Sequence, residues 1–393
     1  MGFSQALSGL NAAATNLDVV GNNIANSQTV GFKGGNVQFA DVFAGAGAGL
    51  GTRVAGILQD FSNGNIETTN RNLDLAISGN GFFRFSQNDE TVYSRNGQLT
   101  LTKDGFLENA TGARLMGYPA GEGTGGQPVE LNIPASGLAA VATQAVDSSL
   151  NLDATADGLD PALFDYQDGD TYSYANTGTV YDSLGVQHSM TMYFVKDGAN
   201  PNQWQVFVGL DGQAPTGPQT LEFDGNGTLT NGITANYNFP QTNGAADLNF
   251  DLDFGGTTQF GGDFALNTLN QDGFAAGNLV GIAIDEGGNL VGTYSNEQTQ
   301  VLGTIALANF RNPEGLKAVG DNAWAMTGAS GQELLGLAGT GVFGDIEAGA
   351  LESSNVDLTQ ELVDLIIAQR NYQANTQTIK VQDEVLQNAV NLR

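Results

Sequence analysis

Phe3, Leu10, Leu17 and Ile24 lie seven residues apart, and Leu7, Ala14 and Gly21 fill the intermediate places of the same stripe. An apolar position that returns every 3.5 residues on average marks the seam of a coiled coil, so residues 1–33 are predicted as an N-terminal helical segment. A second seam of the same period runs along the other end of the sequence. Leu351, Leu358, Leu365, Tyr372, Ile379 and Leu386 are again seven apart, and the alternate places hold Leu362 and Val390 but also Gln369, Thr376 and Asp383. Residues 351–393 are predicted as a C-terminal helix that starts near Ser353 to Asp357, where Ser, Asn and Asp can cap free N–H groups. Glu361 and Asp364 suit the positive end of its dipole. Its polar seam positions weaken it as a dimer in isolation, so it is expected to need several neighbours. Two helices that merely cover a globular core would show the same period. The small residues Gly9, Ala12, Ala13, Ala14, Gly21 and Ala25 favour the other reading, because they leave the first helix thin on most sides and open to helices all round.

Between the seams the pattern changes. Residues 34–70 are rich in Gly and Ala with scattered aromatics and read as an extended connector. From Leu73 the period becomes two, with short strands separated by Gly-Asn-Gly, Arg-Asn-Gly, Lys-Asp-Gly and Thr-Gly turn signals. The stretches TGTVYDSLGVQHSMTMYFV, NQWQVFVGL, LEFDGNGTLT and DLNFDLDF alternate in the same way, and a further strand, turn and strand set follows residue 280. The expected fold is mainly β, with domains nested between N- and C-terminal α-helices that pair as a coiled-coil-like layer. A discontinuous β domain takes 71–144 and 272–350, and a separate domain, 145–271, is inserted in it. Such nesting brings the two seams together.

Charge sharpens that division. The net charge is −29, and between Arg114 and Arg311 one lysine stands against 22 acidic residues. So acidic a chain repels nucleic acid and anionic surfaces, and the inserted domain, which carries most of the excess, is expected outermost. No run approaches the roughly 18 apolar residues of a membrane-spanning helix, so no membrane insertion is expected. The first basic residue is Lys33, so the opening residues do not read as a secretory signal. With no cysteine, disulfides and thiolate metal sites are out of reach.

The candidate chemistry is thin. His188, the one histidine, stands beside Ser189 and near Asp182 and Ser183, but neighbours on a strand alternate faces, and a surface histidine is the better reading. Asn249, Asp251 and Asp253 resemble the start of a calcium loop, yet Phe254 and Phe260 stand where that loop needs Gly and Glu. A strand with Phe250, Leu252 and Phe254 inward explains the same letters. DATADGLDPALFDYQDGD could hold calcium only loosely, and GAGAGLG has neither the preceding strand nor the following lysine of a phosphate loop. No catalytic, cofactor or metal residue is expected, and the chain does not read as an enzyme.

FSQALSGLNAAATNLDVVGNNIANSQTVGFK and ESSNVDLTQELVDLIIAQRNYQANTQTIKVQDEVLQNAVNL resemble the signature ends of the bacterial flagellar basal-body rod and hook axial proteins. NLDLAISGNGFFRF, YSRNGQLTLTKDGFLENATGARLMGY and VLGTIALANFRNPEGLKAVGDNAWA resemble the β domain shared by that family, and the resemblance covers about two thirds of the chain. It implies a structural subunit of the flagellar hook, exported unfolded by the type III export apparatus without a cleaved signal and self-assembling outside the cell surface. The product would be a flexible curved tube, a universal joint that passes torque from rod to filament. The implied partners are further copies of the chain, the distal rod protein, the hook cap protein and the hook-filament junction protein. The resemblance gives Phe3, Leu7, Leu10, Leu17, Ile24, Leu358, Leu362, Leu365, Tyr372, Ile379, Leu386 and Val390 to subunit packing. Hinges are expected at Gly45, Gly47 and Gly49 and in the links 140–147 and 265–275. A distal rod subunit, or a secreted acidic β-rich adhesin, is the alternative; the rod subunit would lack a large middle insertion.

Overall fold

The computed structural model describes residues 2–42, 51–121, 125–134 and 136–391. They form many short strands between two long helices, α1 (Gly2–Ala25) and α2 (Leu358–Asn391). The cap of α2 falls on Asp357, whose Oδ1 accepts from the N–H groups of Thr359 at 2.8 Å and Gln360 at 3.2 Å. The chain divides into two compact units, one of residues 1–135, 281–293 and 299–393, the other of 136–280 and 294–298.

In the first unit α1 and α2 pack side by side. They run antiparallel. A Cβ on Gly9 would lie 2.9 Å from Asn375 Oδ1, and Asn23 Nδ2 donates to Glu361 Oε1 at 2.9 Å, so contact points fourteen residues apart on one helix match points fourteen apart, in reverse, on the other. After α1 the chain turns at Gly31 (φ 70°), where a Cβ would lie 2.7 Å from the backbone nitrogen of Asn96. The next stretch differs from the extended connector expected of it. Strands β1 (Gly35–Asp41) and β2 (Thr52–Gln59) pair antiparallel, Val37 opposite Ile57 and Phe39 opposite Val54, and both pack on α1. Their alternation breaks at a bulge between Gln38 and Phe39, and so many Gly and Ala dilute it further.

The sheet of this unit is built around the strand Phe82–Gln87. It pairs with Glu90–Ser94 through a turn at Asn88 and Asp89, whose φ angles of 51° and 64° are those of a type I′ hairpin. It also pairs with Arg114–Pro119 and with Leu307–Asn309. Strand Asp74–Ser78 pairs with Asp345–Ala348, and Ile66–Thr68 with Ala350–Glu352. The later chain therefore supplies partner strands to the earlier one in three separate sheets. The aromatic core of the unit, Phe82, Tyr93, Phe310 and Trp324, takes in Phe61 edge-on to Phe82 at 5.5 Å and to Trp324 at 5.4 Å. Trp324 Nε1 donates to Gln59 Oε1 at 2.7 Å, which fixes the end of β2 to the sheet.

The second unit holds two five-stranded sheets around one core. One contains Thr234–Phe239, Leu248–Asp253, Ala145–Asp153, Thr258–Phe260 and Ala265–Gln271; the other runs from Tyr174–Tyr181 through Gln187–Lys196, Gln203–Leu210 and Thr216–Phe223 to Leu229–Asn231. Alternating side chains of both sheets meet in a cluster that includes Leu150, Phe194, Trp204, Phe250 and Leu252. The links expected as hinges belong to this unit and are tied together. Leu138 bridges Gly277, Val141 bridges Phe274, and buried Thr143 donates to Gln271 Oε1 at 2.8 Å and accepts from Tyr181 N at 2.9 Å. Bending there would break these bonds, so neither link is a loose joint.

Candidate assembly surface

Two small or polar contacts fix α1 against α2, Gly9 with Asn375 and Asn23 with Glu361, and the β1–β2 hairpin covers α1 as well. On α1 the buried positions are Ala6, Ala12, Ala13, Val20 and Asn23; 6, 13 and 20 repeat every seven residues, one step round the helix from the predicted stripe. On α2 the buried residue is Ala368, flanked by half-buried Glu361, Leu365, Asn375 and Ile379. Small residues let the backbones approach, and Gly9 leaves room for the Asn375 amide. Asn23 is satisfied on every side: its Oδ1 accepts from Gly35 N at 3.0 Å, and its Nδ2 donates to Gly35 O and Glu361 Oε1, each at 2.9 Å. Burial pushes the Glu361 carboxyl up, and the Asn23 amide draws it back only in part.

Many large apolar residues of both helices stay uncovered. Leu10, Leu17, Ile24, Leu365 and Ile379 are half-buried, but Phe3, Leu7, Leu358, Leu362, Tyr372 and Leu386 are exposed, Leu386 by 59%. Val363, Ile366, Ile367, Val381 and Val385 add to them, and 358, 362 and 366 form one row along the helix. The side chain of Val390 lies outside the described residues, as do Gly45, Gly47 and Gly49. A helix in water does not normally show so long an apolar row, which marks an interaction surface.

Where both helices join the sheet, three charged side chains are buried together. Glu352 Oε1 lies 2.7 Å from Lys33 Nζ, and its Oε2 lies 2.8 Å from Arg95 Nε. Burial pulls the Lys33 ammonium and the Arg95 guanidinium below their ordinary values, against the pull of Glu352. Periodicity offers no signal for this cluster.

The second unit disposes of the other candidates. His188 is buried, not on the surface as expected. Its Nδ1 lies 2.6 Å from Asp211 Oδ2 and its Nε2 3.3 Å from Asp182 Oδ2, and Asn243 Nδ2 donates to the same Asp182 oxygen at 2.6 Å. Ser183 Oγ instead accepts from Ala246 N, so no hydrolytic triad is formed. Burial alone would lower the imidazole, but the Asp211 and Asp182 carboxylates outweigh it and hold His188 above 6.5. A raised value means stability that is complete below about pH 6.5 and lost as pH rises through the folded value. The melting temperature of this unit is expected to fall in that interval, and His188→Gln should flatten the step; a step of unchanged size in the variant would refute the assignment. In Leu248–Asp253, Leu248, Phe250 and Leu252 point inward and Asn249 and Asp251 outward, as the strand reading requires. The acids of DATADGLDPALFDYQDGD cap local turns: Asp153 accepts from Thr155, Asp160 from Ala162 and Asp168 from Asp170. Among the described residues no three His, Cys, Asp or Glu side chains gather as metal ligands, and no helix is long and apolar enough to cross a membrane.

Four family models match the chain in order: the flagella basal body rod protein at residues 4–33, the flagellar hook protein FlgE/F/G D1 domain at 76–155, the flagellar basal body protein FlaE D2 domain at 151–274, and the flagellar basal body rod FlgEFG protein C-terminal region at 347–392. Over its whole length the chain is 50% identical to the flagellar hook protein FlgE of Salmonella typhimurium and 49% identical to that of Escherichia coli, covering each completely. It is 34% identical to the counterpart in Borreliella burgdorferi, with 98% of each chain covered. The crystal structure of the Helicobacter pylori flagellar hook protein FlgE2 shares the fold at a TM-score of 0.55 and 14% identity, over 73% of this chain and all of that one.

Proposed function

The chain belongs to the flagellar hook protein family, and from that premise we propose that copies of it stack into the hook through the uncovered faces of α1 and α2. It is a structural subunit of the flagellar hook, an extracellular part of the flagellum, and not an enzyme. A hook subunit must self-assemble, and one observation carries the choice of surface: the apolar row of α2 that α1 leaves bare. A neighbour that covers each such side chain gains roughly 1 kcal/mol, about half the value for burying a fully exposed one, repeated at every subunit.

On this reading the inner assembly domain comprises 1–33 and 351–393, the discontinuous β domain 71–144 and 272–350, and the acidic insertion 145–271 faces outward. The charge of the insertion supports that last place, since like-charged domains repel least where they are farthest apart and best solvated. Gly45, Gly47 and Gly49 are the proposed bending points, on the ground that glycine resists backbone rotation least. The subunit so placed serves as a universal joint that passes torque from rod to filament. The distal rod protein, hook cap protein, hook-filament junction protein and type III export apparatus are its proposed partners, on the strength of family resemblance. The decisive experiment puts charge on the bare row of α2 and asks whether a folded subunit still polymerises.

A further inference from the structure

Lys33, Arg95 and Glu352 come from three distant stretches of the first unit, and their side chains are 0–3% exposed. Besides Glu352, Lys33 Nζ donates to Ser62 O at 2.5 Å. Arg95 donates to Gly81 O at 2.7 Å, Gly79 O at 2.8 Å and Asn63 Oδ1 at 2.5 Å. Glu352 Oε1 also accepts from Gly64 N at 2.8 Å, and its backbone carbonyl accepts from Gly31 N at 2.8 Å. Two cations and one anion thus stand in a site closed on all sides. Stability alone does not account for them, because apolar side chains of similar volume hold such a site as well or better. What an ion triad can add is selectivity, as buried polar groups do in some coiled coils. Its members need one another at one alignment of the chain, whereas apolar side chains pack tolerably at several.

Its place in the chain says which alignment. Lys33 stands eight residues past the end of α1, and Glu352 six before the start of α2. Asn23 and Glu361, the nearest hydrogen-bonded pair between the helices, follow directly. An offset at the triad would therefore pass straight into the pairing of α1 with α2, whose small and polar contacts resist sliding only weakly.

We propose that Lys33, Arg95 and Glu352 set the register of α1 against α2, and with it the helix pair that one copy presents to the next. The second clause rests on the assembly reading above.

The chain has no cysteine, so introduced pairs report the register. Gly9→Cys with Asn375→Cys joins positions in contact, and Gly9→Cys with Ile379→Cys joins positions one turn out of step. With the triad intact the first pair should cross-link about tenfold faster or more, since a disulfide does not tolerate an extra turn of separation. Adding Lys33→Met, Arg95→Met and Glu352→Met should bring the two rates to within about threefold, as alternative registers become populated. An unchanged ratio overturns the proposal. Should the triple variant fail to fold by circular dichroism, Glu352→Gln, of the same size and without the charge, gives the answer: a smaller ratio supports the proposal and an unchanged one refutes it. Hooks counted on cells separate the two readings. A smaller ratio with misshapen or missing hooks supports both clauses, and a smaller ratio with normal hooks overturns the link to assembly. Missing hooks at an unchanged ratio make the triad a stabilising cluster only, and leave the hook reading standing.

Discussion

A chain carrying Leu362→Asp and Leu386→Asp folds and does not polymerise. Both leucines are exposed in the single subunit, by 45% and 59%, so neither substitution opens a cavity or strands a buried partner. Surface changes of this kind usually stay within about 0.5 kcal/mol, and the melting temperature should move by no more than about 2 °C per substitution, given the size of the unit. On the proposed assembly the same positions face a neighbour. Each carboxylate would then be taken out of water without a partner, a cost of several kcal/mol, and every subunit would meet it twice. Purified variant should remain in the supernatant under conditions that sediment the parent chain, and cells that make only the variant should lack hooks. Leu362→Met with Leu386→Met, which keeps the apolar surface, should polymerise normally. Polymers of the aspartate variant that match those of the parent would remove α2 from the interface.

Trp204→Ala is expected to lower one of two thermal transitions by about 10 °C, because losing a fully buried Trp costs roughly 3–5 kcal/mol and a unit of this size shifts by about 2–4 °C per kcal/mol. Trp204 lies in the core of the second unit with none of its surface exposed, and its Nε1 donates to Gln259 Oε1 at 3.0 Å, so truncation also strands an amide oxygen. That unit has its own core and few strand pairings outside itself. Its transition should move and the other should not. Calorimetry of the full chain decides the matter; equal shifts in both transitions would show that the core of the second unit supports the first.

The two helices, the Asp357 cap and the inward alternation of Leu248–Asp253 were legible in the sequence, because each depends on residues only a few places apart. The features that local pattern missed depend on distant ones. Lys33 and Glu352 are 319 residues apart, and nothing near either announces the other. His188 read as a surface residue because Asp211, which holds its Nδ1, arrives from the following strand. The β1–β2 hairpin was hidden by composition and by a bulge at Gln38 and Phe39: its large apolar residues are few, set among small ones that carry little signal, and Val54 and Ile57 fall three apart rather than two. The fixed contacts between the helices involve residues that the seams do not name, for a related reason. Seam reading gives weight to large apolar residues, whereas the contacts fixed between the helices fall on Gly9, Asn375, Asn23 and Glu361. Much of the apolar stripes, Phe3, Leu7, Leu358, Leu362, Tyr372 and Leu386 among them, remains exposed, which is what a subunit that needs neighbours requires.

Amide hydrogen exchange, followed residue by residue in free subunit and in assembled hooks, tests that requirement most directly. If copies join through their terminal helices, amides of α2 between 358 and 387 should slow by about a hundredfold or more on assembly, as opening of the helix comes to cost several kcal/mol more. Those in the core strands of the second unit should change little. Unchanged exchange along α2, with new protection confined to the second unit, would contradict the account and place the joints between copies in the acidic insertion.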